Sequence, residues 1–235
     1  MIGTVMDIET TGWLKFQQNN GWSELHDESE ILEVGFMNVN MDTKKILTYG
    51  TLYFYKPYFF VESPAQEVHH LTRDFLQQFE KDFEMNLIAL NSMIQCTCLI
   101  GKNSDKFDIP FVKAFIDKHA GDKFNIPDVV TKLNMKGYEG GRIGYDDSLY
   151  PLDMQTIYKD RYHELFMNKY GYPLASSKKG KLEEYIDVIP GGQEAVDIVY
   201  NSMENKARVT GAHGALYDCA MTYVVWCDAR NQKLC

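Results

Sequence analysis

The chain has 235 residues, 45% of them apolar, and a formal net charge of -9. That length and apolar share suit one well-cored domain, or one domain with an embellishment, and the acidic balance argues against a surface built for tight, processive binding of a duplex. No run approaches the length of a membrane span and the start reads as a strand rather than a signal peptide, so a soluble, intracellular (cytoplasmic) protein with no membrane partner is expected.

The first element is a strand over Ile2 to Ile8, β-branched and apolar enough to be buried. Trp13 to Glu30 is polar and reads as a loop. Ile31 to Asn40 and Lys45 to Tyr55 read as two strands joined by the turn Met41-Asp42-Thr43-Lys44, a hairpin. A helical stretch follows from about Thr72 to Gln95, then a strand over Cys96 to Gly101, then a helix after Asp108. This order predicts a mixed sheet with helices packed against it. Lys136 to Asp147 is glycine-rich without the Gly-Lys-Ser/Thr ending of a phosphate loop. It is read as a surface hairpin in an insertion around 130–150, with a substrate-guiding flap carrying Arg142 and Tyr145 as the alternative. Tyr158, Tyr162, Phe166 and Tyr170 recur every fourth residue and mark the buried face of a helix in a locally basic stretch. The last helix, about Ala215 to Ala229, is apolar almost all round and should be buried. Cys96, Cys98, Cys219, Cys227 and Cys235 are odd in number and lack zinc spacing, so reduced thiols are expected, with Cys96 and Cys98 alternating along one strand.

Chemistry concentrates at three places. Asp7 and Glu9 follow Val5 on one face of the first strand, because strand side chains alternate with period two. Two carboxylates side by side at the end of a core strand repel each other and resist desolvation, and a divalent cation relieves both costs. Asp108 stands two residues before Pro110 and just ahead of an apolar helical run; a helix cap explains it by itself, and a second role is compatible with that. Asp218 lies inside the greasy last helix, where a lone acid needs a partner. His213 precedes it by five residues, off that helical face, on a loop where Gly211 and Gly214 allow an unusual backbone.

Taken in order, Val5 to Gly12, Leu99 to Phe111 and Ala207 to Thr222 resemble the three motifs of the DEDDh, or DnaQ-like, 3′–5′ exonucleases, a family that includes the proofreading subunits of bacterial replicative polymerases. The resemblance implies an α/β, ribonuclease-H-like fold: a central mixed β-sheet flanked by α-helices, forming a single exonuclease domain over 1–235. It implies two divalent cations, Mg2+ or Mn2+, held by Asp7, Glu9, Asp108 and Asp218. His213 would be the general base, a job suited to a side chain that exchanges a proton near neutral pH. Thr10, Thr11, His69 and Asn103 are the implied substrate contacts, although His70 stands where the family has a glycine after the histidine.

The implied reaction is release of nucleoside 5′-monophosphates from a nucleic-acid 3′ end, with single-stranded DNA favoured. The spacing from Asn103 to Asp108 is one residue longer than in the bacterial proofreading subunits and closer to oligoribonucleases, so RNA stands as the alternative. The acidic charge predicts a distributive, salt-sensitive enzyme. A polymerase or other replication or repair partner is compatible with this but not indicated, and the chain stops soon after its last helix, so a free-standing nuclease, or one recruited through its folded surface, is expected.

Overall fold

The computed structural model describes residues 1–12, 29–96, 98–104, 107–120, 136–139, 142–144, 152–208 and 211–235. The expected loop after Trp13 and the alternative flap residue Tyr145 lie outside them, as does the side chain of Arg142. Strand β1 runs over Ile2–Thr10 and pairs antiparallel with β2, Ile31–Asn40, which pairs antiparallel with β3, Ile46–Tyr53. On the other side of β1 lies the short parallel strand β4, Cys98–Gly101. Two further strands, β5 (Lys136–Glu139) and β6 (Arg142–Gly144), form a separate ribbon, and β7 (Leu152–Asp153) extends the main sheet parallel to β4. The strand order is therefore β3-β2-β1-β4-β7, with β1 at the centre. The β2–β3 hairpin closes on the Asn40 side chain, whose Oδ1 accepts from the Asp42 and Thr43 N–H groups at 3.0 and 2.9 Å.

Both faces of the sheet are covered, which is why β1 is apolar at successive residues. Met6 and Ile8 point into one core with Leu32, Val34, Phe83, Leu87, Phe111 and Phe115. After α1 (Ser63–His69) in the chain come its helices, α2 (Arg73–Gln77), α3 (Phe83–Cys96) and α4 (Asp108–Ala120). Val5, Met37 and Ile100 point the other way, toward Tyr158, Tyr162, Tyr185, Cys219, Ala220 and Trp226. That layer is built from α5 (Met154–Ile157), α6 (Lys159–Tyr170), α7 (Leu182–Val188), α8 (Gly192–Asn201) and α9 (Ala215–Asn231). Tyr158 and Tyr162 are wholly buried, as the fourfold spacing predicts, and α9 is buried along most of its length. Among the described residues no helix is long and apolar enough to cross a membrane.

Three local expectations are corrected. The stretch Thr72–Gln95 is not one helix: α2 starts on the Thr72 cap, ends at Gln77, and a 3-10 turn over Glu80–Asp82 leads into α3. No glycine or proline marks that break. Phe75 and Phe79 pack on the Tyr53 ring at 5.0 and 4.6 Å while Phe83 meets Phe54 at 5.6 Å, and this packing overrides local helix preference. Cys96 belongs to α3 and not to the strand, because pairing with β1 begins only at Gly3 and Cys98. Finally, α1 went unread although Pro64 in its first turn is an ordinary helix-start signal.

Candidate active site

Register explains how the acids meet. Across the β1–β2 ladder Asp7 faces Gly35 and Glu9 faces Glu33. A Cβ on Gly35 would lie 2.4 Å from the Ala215 carbonyl carbon, so the missing side chain lets the first turn of α9 rest directly on the sheet beside Asp7. One turn further along α9, Asp218 comes over the strand end. Ligand oxygens from Asp7, Glu9 and Asp218 all lie within 4.8 Å of one another. Asp108, the first residue of α4 and 3% exposed, stands outside that group but close enough for its charge to bear on both Asp7 and Glu9.

The electrostatics are unfavourable in the way a cation site is. Burial, then the charges of Asp218, Asp108 and Glu9, push the Asp7 carboxyl well above the ordinary range. Glu9 is raised by burial and by Asp218 and Glu33, with Arg208 partly easing it. Burial lifts Asp218 to about 7, against the pull of a hydrogen bond from the His213 N–H, which reaches its Oδ1 at 3.0 Å. Neither Asp7 nor Glu9 has a side-chain hydrogen bond or ion pair among the described residues. An oxygen-only donor set of this kind fits a hard divalent ion such as Mg2+ or Mn2+. The nearby Cys219 is not part of it; burial holds its thiol protonated.

Glu33 is buried too, but it is neutralised. Arg208 Nη2 meets its carboxylate at 2.5 Å, and Arg208 Nη1 donates to the His69 carbonyl at 2.9 Å. This pair ties the segment leading into the His213 loop to β2 and to the end of α1.

His213 sits on that loop with φ of 66°, the left-handed strain falling on the histidine itself and not on Gly214, whose φ is -115°. Its imidazole is 47% exposed and its Nε2 lies 3.3 Å from Glu183 Oε1 on α7. The remaining sequence candidates are mostly engaged within the protein. Thr10 Oγ1 donates to the Gly12 carbonyl at 2.9 Å, and Thr11 Oγ1 accepts from the Glu30 N–H at 2.8 Å. His69 is 2% exposed, accepts from the Leu71 N–H through Nδ1 at 3.0 Å, and is held neutral by burial with a pKa lowered to about 4. Asn103, at φ of 61°, donates its backbone N–H to Asp153 at 2.9 Å.

Sequence reading passed over Glu183, Arg208 and Lys102. Lys102 had a local signal: it continues the alternation Cys98, Ile100 at the end of β4, which puts it on the Asp7 face. Its side chain is partly buried and its ammonium lies 5.7 Å over the Tyr185 ring.

A mixed five-stranded sheet between two helical layers, with acids gathered at the end of its central strand, defines an α/β, ribonuclease-H-like fold. No family model and no curated protein sequence matches the chain. Solved structures do: E. coli exonuclease I in complex with a dT13 oligonucleotide superposes with a TM-score of 0.55 at 13% identity, over 99% of this chain and 41% of that one. The zinc-ion-bound form of the E. coli ExoI–ssDNA complex gives 0.56 at 13% identity, over 99% and 41%. The chain thus spans about two fifths of the length of the exonuclease I chains it matches. At this identity the likeness establishes the shared fold.

Proposed function

We propose that the protein is a metal-dependent 3′–5′ exonuclease that releases nucleoside 5′-monophosphates, acting on single-stranded DNA. The observation that carries this reading is the convergence of Asp7, Glu9 and Asp218 oxygens within 4.8 Å, with no salt bridge from a cation among the described residues, at the centre of a ribonuclease-H-like sheet. The single-stranded DNA in the exonuclease I complexes that share the fold supports the choice of substrate. Asp7, Glu9 and Asp218 would hold one divalent cation, and Asp7 with Asp108 a second. When bound, such ions stabilise charge on the scissile phosphate and lower the pKa of a ligated water.

In this reading His213 takes the proton of the attacking water. Its left-handed backbone is anchored by the N–H bond to Asp218, which ties the His213 loop to the acid group. Its Nε2 stands 3.3 Å from the Glu183 carboxylate, a contact that orients the ring. The hydrogen bond to Asp218 couples the loop of the proposed base to the helix that carries the proposed ligand.

The test is hydrolysis of a DNA oligomer and an RNA oligomer of the same sequence, each labelled at the 5′ end, with Mn2+ or Mg2+. The expected result is a descending ladder from the DNA and release of 5′-mononucleotides, abolished by chelation and reduced by orders of magnitude in Asp7→Ala. An Asp7→Ala protein as active as the unaltered one refutes the site. A strong preference for the RNA strand would keep the chemistry and replace the substrate.

A further inference from the structure

We propose that Lys102 is a catalytic residue of this site, its ammonium serving as the receptor for a phosphate oxygen of the 3′-terminal nucleotide; this rests on the nuclease reading above. The parallel register Gly3–Cys98, Thr4–Leu99, Val5–Ile100 sets the end of β4 beside β1 just before Asp7, and Lys102 follows β4 directly. Val5 and Ile100 belong to the core that contains Tyr185, and the Lys102 ammonium lies over that ring.

Among the described residues the lysine differs from Arg208, the other cation whose charge reaches the acids. Arg208 is spent on Glu33 and the His69 carbonyl. Lys102 makes no hydrogen bond and no ion pair among the described residues, its recorded neighbour being the face of the buried Tyr185 ring at 5.7 Å. Burial disfavours its charge, while Asp153, Glu183, Asp7 and Asp108 all favour it from a distance. A lysine present only to neutralise the acids would close on one of them, since four rotatable bonds let it do so. This one stands amid the acids, with its donors unspent. A phosphate bridging the cations held by Asp7 and its neighbours would come within its reach. An ammonium is a compact charge that suits a phosphate oxygen, and such charge-assisted hydrogen bonds are the strong ones. The ring of Tyr185 underlies the ammonium, and its hydroxyl is fixed by donation to the Lys179 carbonyl at 2.6 Å.

The experiment measures binding of thymidine 5′-monophosphate, of thymidine and of Mn2+ alone to the unaltered protein, Lys102→Met and Lys102→Arg by calorimetry, the nucleotide and nucleoside in the presence of Mn2+. Lys102→Met should lose about 10- to 100-fold in affinity for the monophosphate, the size of one charge-assisted hydrogen bond. It should bind thymidine as before, and Mn2+ as tightly or more tightly because a like charge has gone. Lys102→Arg should recover part of the monophosphate affinity. Unchanged monophosphate binding in Lys102→Met overturns the assignment, as does an equal loss of Mn2+ affinity, which would mark a structural role. Failure of the unaltered protein to bind the monophosphate or degrade an oligomer overturns the nuclease reading and this inference with it. Oligomer degradation at an unaltered rate by Lys102→Met overturns this inference alone.

Discussion

Replacing Asp218 by asparagine should make the metal-free protein more stable. The side chain keeps its shape, and its amide oxygen can still accept the His213 N–H, so the perturbation is the loss of one negative charge. In the folded protein burial moves this carboxyl from the 3.8 of an ordinary aspartate to about 7. A carboxyl whose folded-state pKa is raised destabilises the fold only when ionised. The penalty is absent below about pH 4, grows as pH rises through the interval where only the unfolded chain has released its proton, and is complete above about pH 7. A rise of about 3 pH units corresponds to roughly 4 kcal/mol at pH 8. Because Asp7 and Glu9 share the strain and readjust their protons, about 2–4 kcal/mol is the expected gain. For a chain of this size that is a rise of roughly 5–15 °C in melting temperature. Thermal melts followed by circular dichroism with a chelator at about pH 8 and again at about pH 5 test it: the gain should be large in the first and shrink in the second. Saturating Mn2+ should stabilise the unaltered protein and leave Asp218→Asn almost unmoved. If Asp218→Asn melts lower than the unaltered protein with chelator at pH 8, the carboxylate is a satisfied structural group and the cation-site argument fails.

Three further outcomes follow from the same geometry. His213→Ala should lower turnover on single-stranded DNA by about 100- to 10,000-fold and flatten the rise of rate with pH, while leaving Mn2+ binding in place; a persistent pH-dependent limb in that variant would put the base elsewhere. Arg208→Met strands Glu33 as an uncompensated buried charge beside Glu9 and should cost about 3–5 kcal/mol in urea unfolding, most of it returned by adding Glu33→Gln; no recovery in the double variant would mean that Arg208 acts by packing alone. Gly35→Ala drives a methyl group into the Ala215 backbone and should cost about 1–3 kcal/mol, with a loss of Mn2+ affinity as α9 is levered off the sheet; wild-type metal affinity in this variant would show that Asp218 is not placed by that contact.

Much of this arrangement can be read locally. Alternation along Ile2–Ile8 puts Asp7 and Glu9 on one face, and the apolar composition of the last helix marks Asp218 as an acid out of place. Tyr158 and Tyr162 are buried where the spacing puts them, whereas Phe166 is half-buried and Tyr170, at the end of α6, is exposed. What could not be read depends on partners distant in sequence. A glycine in the middle of β2 reads as a weak strand residue, and only its register opposite Asp7 and its contact with α9 reveal that it sets the distance between two motifs. The bend at Phe79 carries no breaker residue, because rings packing on Tyr53 and Phe54 impose it. The loop before α9 has two glycines ready to take up strain, yet the left-handed residue is His213, whose N–H must reach Asp218.

The same logic says why the acids cluster at a site of such poor intrinsic stability. Each is delivered by an element that has an independent reason to be there: Asp7 and Glu9 by the central strand, Asp108 by the first turn of α4, and Asp218 by a helix whose remaining faces pack almost throughout. Their repulsion is relieved only in part, by the His213 N–H at Asp218 and by Arg208 near Glu9, and the scaffold holds them together against the rest. A fold selected only for stability would replace Asp218 with a neutral side chain, since the helix would pack as well and the buried charge would vanish. In the proposed reading, four carboxylates are retained within one another's field for a ligand of opposite charge, and the ammonium of Lys102 would meet the anion that arrives with it.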